Sequence, residues 1–195
     1  EDGKTSYNTP DALSQLLRTA IILEDGHKFV VADYSQIEAR VLSFIAGEEW
    51  RLEAFACGKD IYCESASHMF NKPVEKNGIN GDLRDKGKIA ELALGYGGGE
   101  NALIRMGALD MGISAEELPS LVTQWRASNP QIVEFWKKCD KAAKEAIRKR
   151  SYAEVDNIRF WCPENILYIE LPSGRSLAYR NPELQKDENG YDKIV

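Results

Sequence analysis

Two groups of residues in this 195-residue sequence have the types and spacing to do chemistry. One is Asp33, which ends the apolar run KFVVAD and is followed by Tyr34, Ser35 and Gln36. A carboxylate held at the end of a strand suits magnesium, which prefers oxygen ligands and usually takes one or two protein carboxylates together with substrate phosphates. The backbone carbonyl of Tyr34 could add another oxygen. The competing reading is an aspartate that only caps the helix after the strand. The second group lies in LRDKGKIAELALGYG. A helix over residues 83–94 sets Arg84 and Lys88 one turn apart on one face, with Leu92 and Tyr96 continuing the ridge. Two cations on one helical face can clamp a triphosphate through charge-assisted hydrogen bonds. The competing reading is a solvated face, on which Asp85 and Lys86 lie.

The elements that must position these groups follow from local pattern. KFVVAD is short and β-branched, as a buried strand would be. A helix from about Gln36 is expected to bury Ile37, Val41, Leu42 and Ile45 and to stop near Gly47. Before the strand, Leu13, Leu16, Leu17 and Ile21 stand at helical spacing after a loose start over residues 1–10. Asp60 is placed to N-cap the helix IYCESASHMF, NKPVEKNGING reads as a loop, and the glycines of GYGGG end the helix that carries Arg84 and Lys88.

Ser114 and Glu117 form a capping box opening a helix that ends at residues 128–130. Pro130 opens the next, whose apolar positions Ile132, Phe135, Trp136, Cys139, Ala142, Ala143, Ala146 and Ile147 keep helical spacing. After Arg150 the period becomes two, and NILYIEL and RSLAYR around PSG read as a hairpin. The fold class is therefore α+β, mostly helical with a small antiparallel sheet, and Asp33 is expected on or beside that sheet.

Bulk properties narrow the classes. A chain of this length buries one core, or one core and a satellite, and 43% hydrophobic with 29% charged residues is globular composition. No apolar run is long enough to span a membrane, and no signal sequence opens the chain. It begins at Glu1, as a piece of something longer would. Cys57, Cys63, Cys139 and Cys162 form no CxxC pair, and His68 with Cys63 is too few ligands for zinc, so reduced thiols in a cytosolic protein are expected. The net charge of −6 disfavours a nucleic-acid partner, but residues 137–150 carry seven basic side chains against two acidic ones. That segment reads either as a template-phosphate contact or as a solubilising face.

Taken together and in order, the two chemical groups resemble the family-A DNA polymerases, and within them the bacteriophage and prophage enzymes. DYSQIEAR matches the family's first catalytic motif, and Arg84, Lys88, Tyr96 and Gly97 match the second, R-x3-K-x7-YG. LSQLLRTA, LSFIAGEEW and GKDIY extend the likeness from Thr9 to Pro182. The resemblance implies part of a right-hand polymerase. Residues 1–70 would hold part of the palm with the first motif and the start of the fingers, residues 71–150 the fingers helices, and residues 151–195 a palm hairpin region.

The resemblance also implies transfer of a nucleotide from a dNTP to a primer 3′ hydroxyl, with two magnesium ions, on primer-template DNA in a bacterial host's cytoplasm. It assigns Asp33 and Lys88 as catalytic, Asp33 and the Tyr34 carbonyl as metal ligands, and Arg84 with Lys88 as the grip on the β- and γ-phosphates. Arg18 would sit near the phosphates or primer terminus, Gln36 and Tyr62 in the substrate site, and Tyr96 near the templating base. Glu38 would block the sugar's 2′ side, or serve structurally by pairing with a neighbouring tyrosine.

The sequence departs from the family pattern in three places. Tyr62 replaces the usual histidine, Leu92 the aromatic residue that packs on the incoming nucleotide, and Glu91 the motif's asparagine. The family's third motif, His-Asp-Glu, does not occur, so this piece, without thumb or second carboxylate, is expected to be inactive alone. The alternative is a non-catalytic nucleotide- or DNA-binding module. The joint presence of Asp33, Glu38, Arg84, Lys88 and Tyr96 favours the polymerase, and Glu38 disfavours a single-subunit RNA polymerase.

Overall fold

The computed structural model describes residues 9–195, with the side chains of residues 9–11 and of Arg18 outside that description. The chain divides into two units, residues 1–35 and 36–195. The first contains helix α1 (Thr9–Leu16) and a 3-10 turn (Leu17–Ala20), followed by irregular chain through Ser35. The strand expected at KFVVAD is absent. Val30 and Val31 are 86% and 92% exposed, and no described strand pairs with this run. β-Branching favours extended backbone, but a strand needs a neighbour to take its N–H and C=O groups. Asp33 accordingly lies on neither described sheet.

The second unit is built by helices α2 (Ile37–Ala46), α3 (Glu49–Ala56), α4 (Ile61–Phe70), α5 (Leu83–Leu94), α6 (Glu100–Arg105), α7 (Leu118–Ser128) and α8 (Pro130–Lys149). α2 ends where expected, with Gly47 in the left-handed conformation at φ 71°. Its buried side differs from expectation: Ile37 and Val41 are exposed, while Ser43 is buried and Leu42, Ile45 and Ala46 are partly buried. α3 and α8 pack on that side of α2. Ser114 and Glu117 bond as anticipated, Glu117 accepting from the Ser114 backbone N–H at 3.0 Å. A turn intervenes, however, and α7 begins at Leu118 with Pro119 in its first turn.

Leu94, Leu103, Leu118, Trp125 and Ile132 are all but inaccessible in the core shared by α5, α6, α7 and the start of α8. The other half of α8 lays Ala142, Ala143, Ala146 and Ile147 on a second core with Val155, Ile158, Phe160 and Leu167. These last residues come from an antiparallel meander, β1 (Tyr152–Val155), β2 (Ile158–Trp161), β3 (Ile166–Glu170) and β4 (Ser176–Arg180). The expected hairpin is β3–β4, pairing Tyr168 with Ala178. A separate two-stranded ribbon joins β5 (Leu184–Lys186) to β6 (Asp192–Ile194). The architecture is α+β, and among the described residues no helix is long and apolar enough to cross a membrane.

Candidate functional site

Helix α5 organises the site because its two faces have different fates. Gly87, Ala90, Glu91 and Leu94 are buried at helical spacing, while Lys88, Leu92 and Tyr96 are exposed on the other side or just beyond the helix end. Gly87 permits the close approach of α5 to α4, since a Cβ there would meet the Tyr62 carbonyl oxygen at 2.3 Å. That approach sets Arg84 beside the first turn of α4. Its Nε donates to Asp60 Oδ2 at 2.9 Å, with Nη2 also 2.9 Å from that oxygen, and its guanidinium carbon lies 5.2 Å from the centroid of the Tyr62 ring.

Asp60 N-caps α4 as expected, with Oδ1 accepting from the backbone N–H groups of Tyr62 at 3.0 Å and Cys63 at 3.3 Å. Burial alone would lower the Arg84 pKa, but the hydrogen bond and charge of Asp60 hold it above its ordinary value. The neighbouring Cys63 thiol is pushed up by burial and by Asp60, which keeps it protonated. Lys88 has no hydrogen-bond or ion-pair partner among the described residues, so its ammonium is available to a ligand.

The buried face of α5 holds a polar centre that the sequence did not reveal. Arg51 of α3, 1% exposed, donates to both carboxylate oxygens of Glu91 at 2.7 and 2.5 Å, to Asn129 Oδ1 at 3.0 Å and to Ser43 Oγ at 2.8 Å. Trp125 Nε1 adds a bond to Glu91 at 2.9 Å, and the Asn129 amide donates to the Trp125 carbonyl at 2.7 Å. Glu48 caps α8 by accepting from Gln131 N–H at 2.9 Å and Ile132 N–H at 3.3 Å, a carboxylate at the positive end of a helix. One signal was available: a carboxylate on the buried stripe of α5 requires a cationic partner. Glu91 is thus a structural anchor for the helix whose other face carries Lys88.

The remaining expected site residues are distributed as follows. Asp33 and Tyr34 are exposed in the first unit, and Arg18 falls outside the described side chains. Gln36 precedes α2 in a left-handed conformation at φ 49°. Glu38 is exposed in the first turn of α2. Tyr62 is half-buried beneath Arg84.

His68 stacks on Trp50 at 4.1 Å instead of joining Cys63, and no group of three His, Cys, Asp or Glu among the described residues could hold a metal. On α8, Lys144 pairs with Asp140, Lys149 with Glu145 and Arg148 with Asp192. Lys137 and Lys138 have no carboxylate partner among the described residues, and Lys141 makes no salt bridge there although its charge acts on Glu145.

Comparison with known proteins adds an independent finding. The profile of DNA polymerase family A matches residues 8–155. Over 180 residues, 92% of the chain, there is 51% identity to a DNA polymerase of Bacillus phage SP02, 28% of which is covered. Identity to the thermostable DNA polymerase I of Thermus aquaticus is 34% over 143 residues, 73% of the chain and 16% of that protein. DNA polymerase I of Rhizobium leguminosarum is 44% identical over 81 residues, 42% of the chain and 8% of its own length. The chain spans less than a third of the length of these relatives.

Proposed function

Because this chain belongs to DNA polymerase family A, we propose that it forms the nucleotide-gripping part of a DNA-dependent DNA polymerase. In this reading residues 1–70 hold part of the palm and the start of the fingers, residues 71–150 the fingers helices, and residues 151–195 a palm hairpin region. The longer enzyme extends a primer from dNTPs on template DNA in the cytoplasm of a bacterial host. The observation that carries the reading is the outer face of α5, where Lys88 stands exposed, without a hydrogen-bond or ion-pair partner among the described residues, one turn from an Arg84 whose ion pair is with Asp60. Such a face can bind the β- and γ-phosphates by charge-assisted hydrogen bonds. Leu92 stands where the incoming sugar and base pack, Tyr96 lies near the templating base, and Glu38 crowds the 2′ position.

The exposed carboxylate of Asp33 and the adjacent Tyr34 carbonyl are hard oxygen donors of the kind magnesium takes. They would make one side of a metal site, to which a second carboxylate would come from outside residues 1–195, so the segment alone is expected to be inactive. Held there, divalent ions would supply activation of the primer hydroxyl and neutralisation of charge on the phosphates. Arg84 and Lys88 fix the leaving diphosphate, and the family resemblance gives Arg18 and Gln36 roles in substrate binding. The test is primer extension by the full-length polymerase with Asp33→Asn. Extension is expected to vanish while the triphosphate is still bound. Undiminished extension by the variant would contradict the assignment of Asp33.

A further inference from the structure

We propose that Asp60 is a positioning residue for nucleotide binding: it grips Arg84 by the Nε–Nη2 edge and leaves the Nη1–Nη2 edge directed to the triphosphate. The inference rests on the reading of α5 as the phosphate-binding helix and adds a residue to it. A guanidinium has five N–H donors in a fixed fork. Here Oδ2 of Asp60 engages Nε and Nη2, both at 2.9 Å, the Cys63 thiol also lies within hydrogen-bonding reach of the guanidinium, and Nη1 makes no ion pair among the described residues. Because both contacts to Asp60 are on one edge, the opposite edge keeps the paired donors that a phosphate accepts bidentately.

Asp60 can do this because it is itself fixed. Its other oxygen is committed to the Tyr62 and Cys63 amides at the start of α4, so the carboxylate cannot rotate away without uncapping the helix. The Tyr62 ring, 5.2 Å from the guanidinium carbon, supports the plane from a second direction. Gly87 then sets the distance, since any larger residue would push α5 away from α4. The arrangement orders the arginine before ligand arrives, and a ligand meeting an ordered side chain does not bear the entropy of fixing it.

A competing picture is a latch, in which Asp60 sequesters Arg84 and the triphosphate must displace it. The two are distinguished by Asp60→Asn, since asparagine caps a helix about as well as aspartate but presents no charge to the guanidinium. In steady-state primer extension by the full-length polymerase, D60N is expected to raise the KM for dNTP roughly three- to tenfold, the equivalent of ordering one long side chain on binding. Its kcat should stay near wild type, and in an Arg84→Ala background D60N should add nothing further.

An unchanged or lowered KM in D60N overturns the proposal, the latter in favour of the latch. An equal additional rise in the Arg84→Ala background, with a lowered melting midpoint, also overturns it and leaves Asp60 a helix cap only. If Arg84→Ala and Lys88→Ala both leave the KM unchanged, the reading of α5 itself fails and takes the role of Asp60 with it.

Discussion

The two faces of α5 carry charges of similar strength and put them to opposite uses. Glu91 on the inner face has its oxygens taken by Arg51 and Trp125, and the arginine in turn bonds Asn129 and Ser43. Lys88 on the outer face, one turn from Arg84, has no such partner among the described residues. A charge whose bonding is completed inside the protein holds structure; a charge left with unsatisfied donors is available to a ligand. Arg84 stands between the two, paired with Asp60 through Nε and Nη2. The inner face gives the helix a fixed orientation, and the outer face uses it.

The contrast can be broken from the inside. Glu91→Leu leaves the Arg51 guanidinium buried without its counter-ion, and removing one partner of such a pair costs about 3–5 kcal/mol. Denaturant unfolding should show that loss. The double variant Arg51→Met with Glu91→Leu should recover most of it, because apolar replacement of a whole buried pair is often neutral. A single variant as stable as wild type would mean that the network does not anchor α5.

The smallest effect is expected at the rim of the same helix, where Lys86 reaches Glu117 at 2.6 Å. Hydrogen bonds from Lys86 and from the Ser114 backbone hold the Glu117 carboxyl below its ordinary value. A carboxyl lowered on folding stabilises above the unfolded glutamate pKa, and that contribution disappears as pH falls through the folded value. The unfolding midpoint of Glu117→Gln should therefore lie slightly below wild type near neutrality and converge with it in acid. A gap that persists through acid would assign the effect to packing.

How much of this was legible in the sequence depended on where each element finds its hydrogen-bond partners. Residues 61–70, 83–94 and 130–149 read correctly because a helix closes its bonds within its own segment, and β3–β4 did so because its turn is local. KFVVAD did not, since a strand requires another strand. Periodicity marked the apolar residues of α2, but not that its neighbours would cover Ser43 and leave Ile37 and Val41 open. Arg84 and Lys88 could be placed on one face from spacing alone. Their inner counterpart could not, because Arg51, Glu91 and Asn129 come together only after α3, α5 and α8 have packed.

The most direct test is single-turnover primer extension by the full-length polymerase, measured against dNTP concentration for wild type and Lys88→Ala. Loss of one charged donor that stabilises a reacting phosphate should lower the catalytic efficiency by on the order of a hundredfold. The melting midpoint should stay unchanged, because Lys88 makes no hydrogen bond or ion pair among the described residues. Equal efficiency in the two proteins would contradict the assignment of the outer face of α5 to the incoming nucleotide.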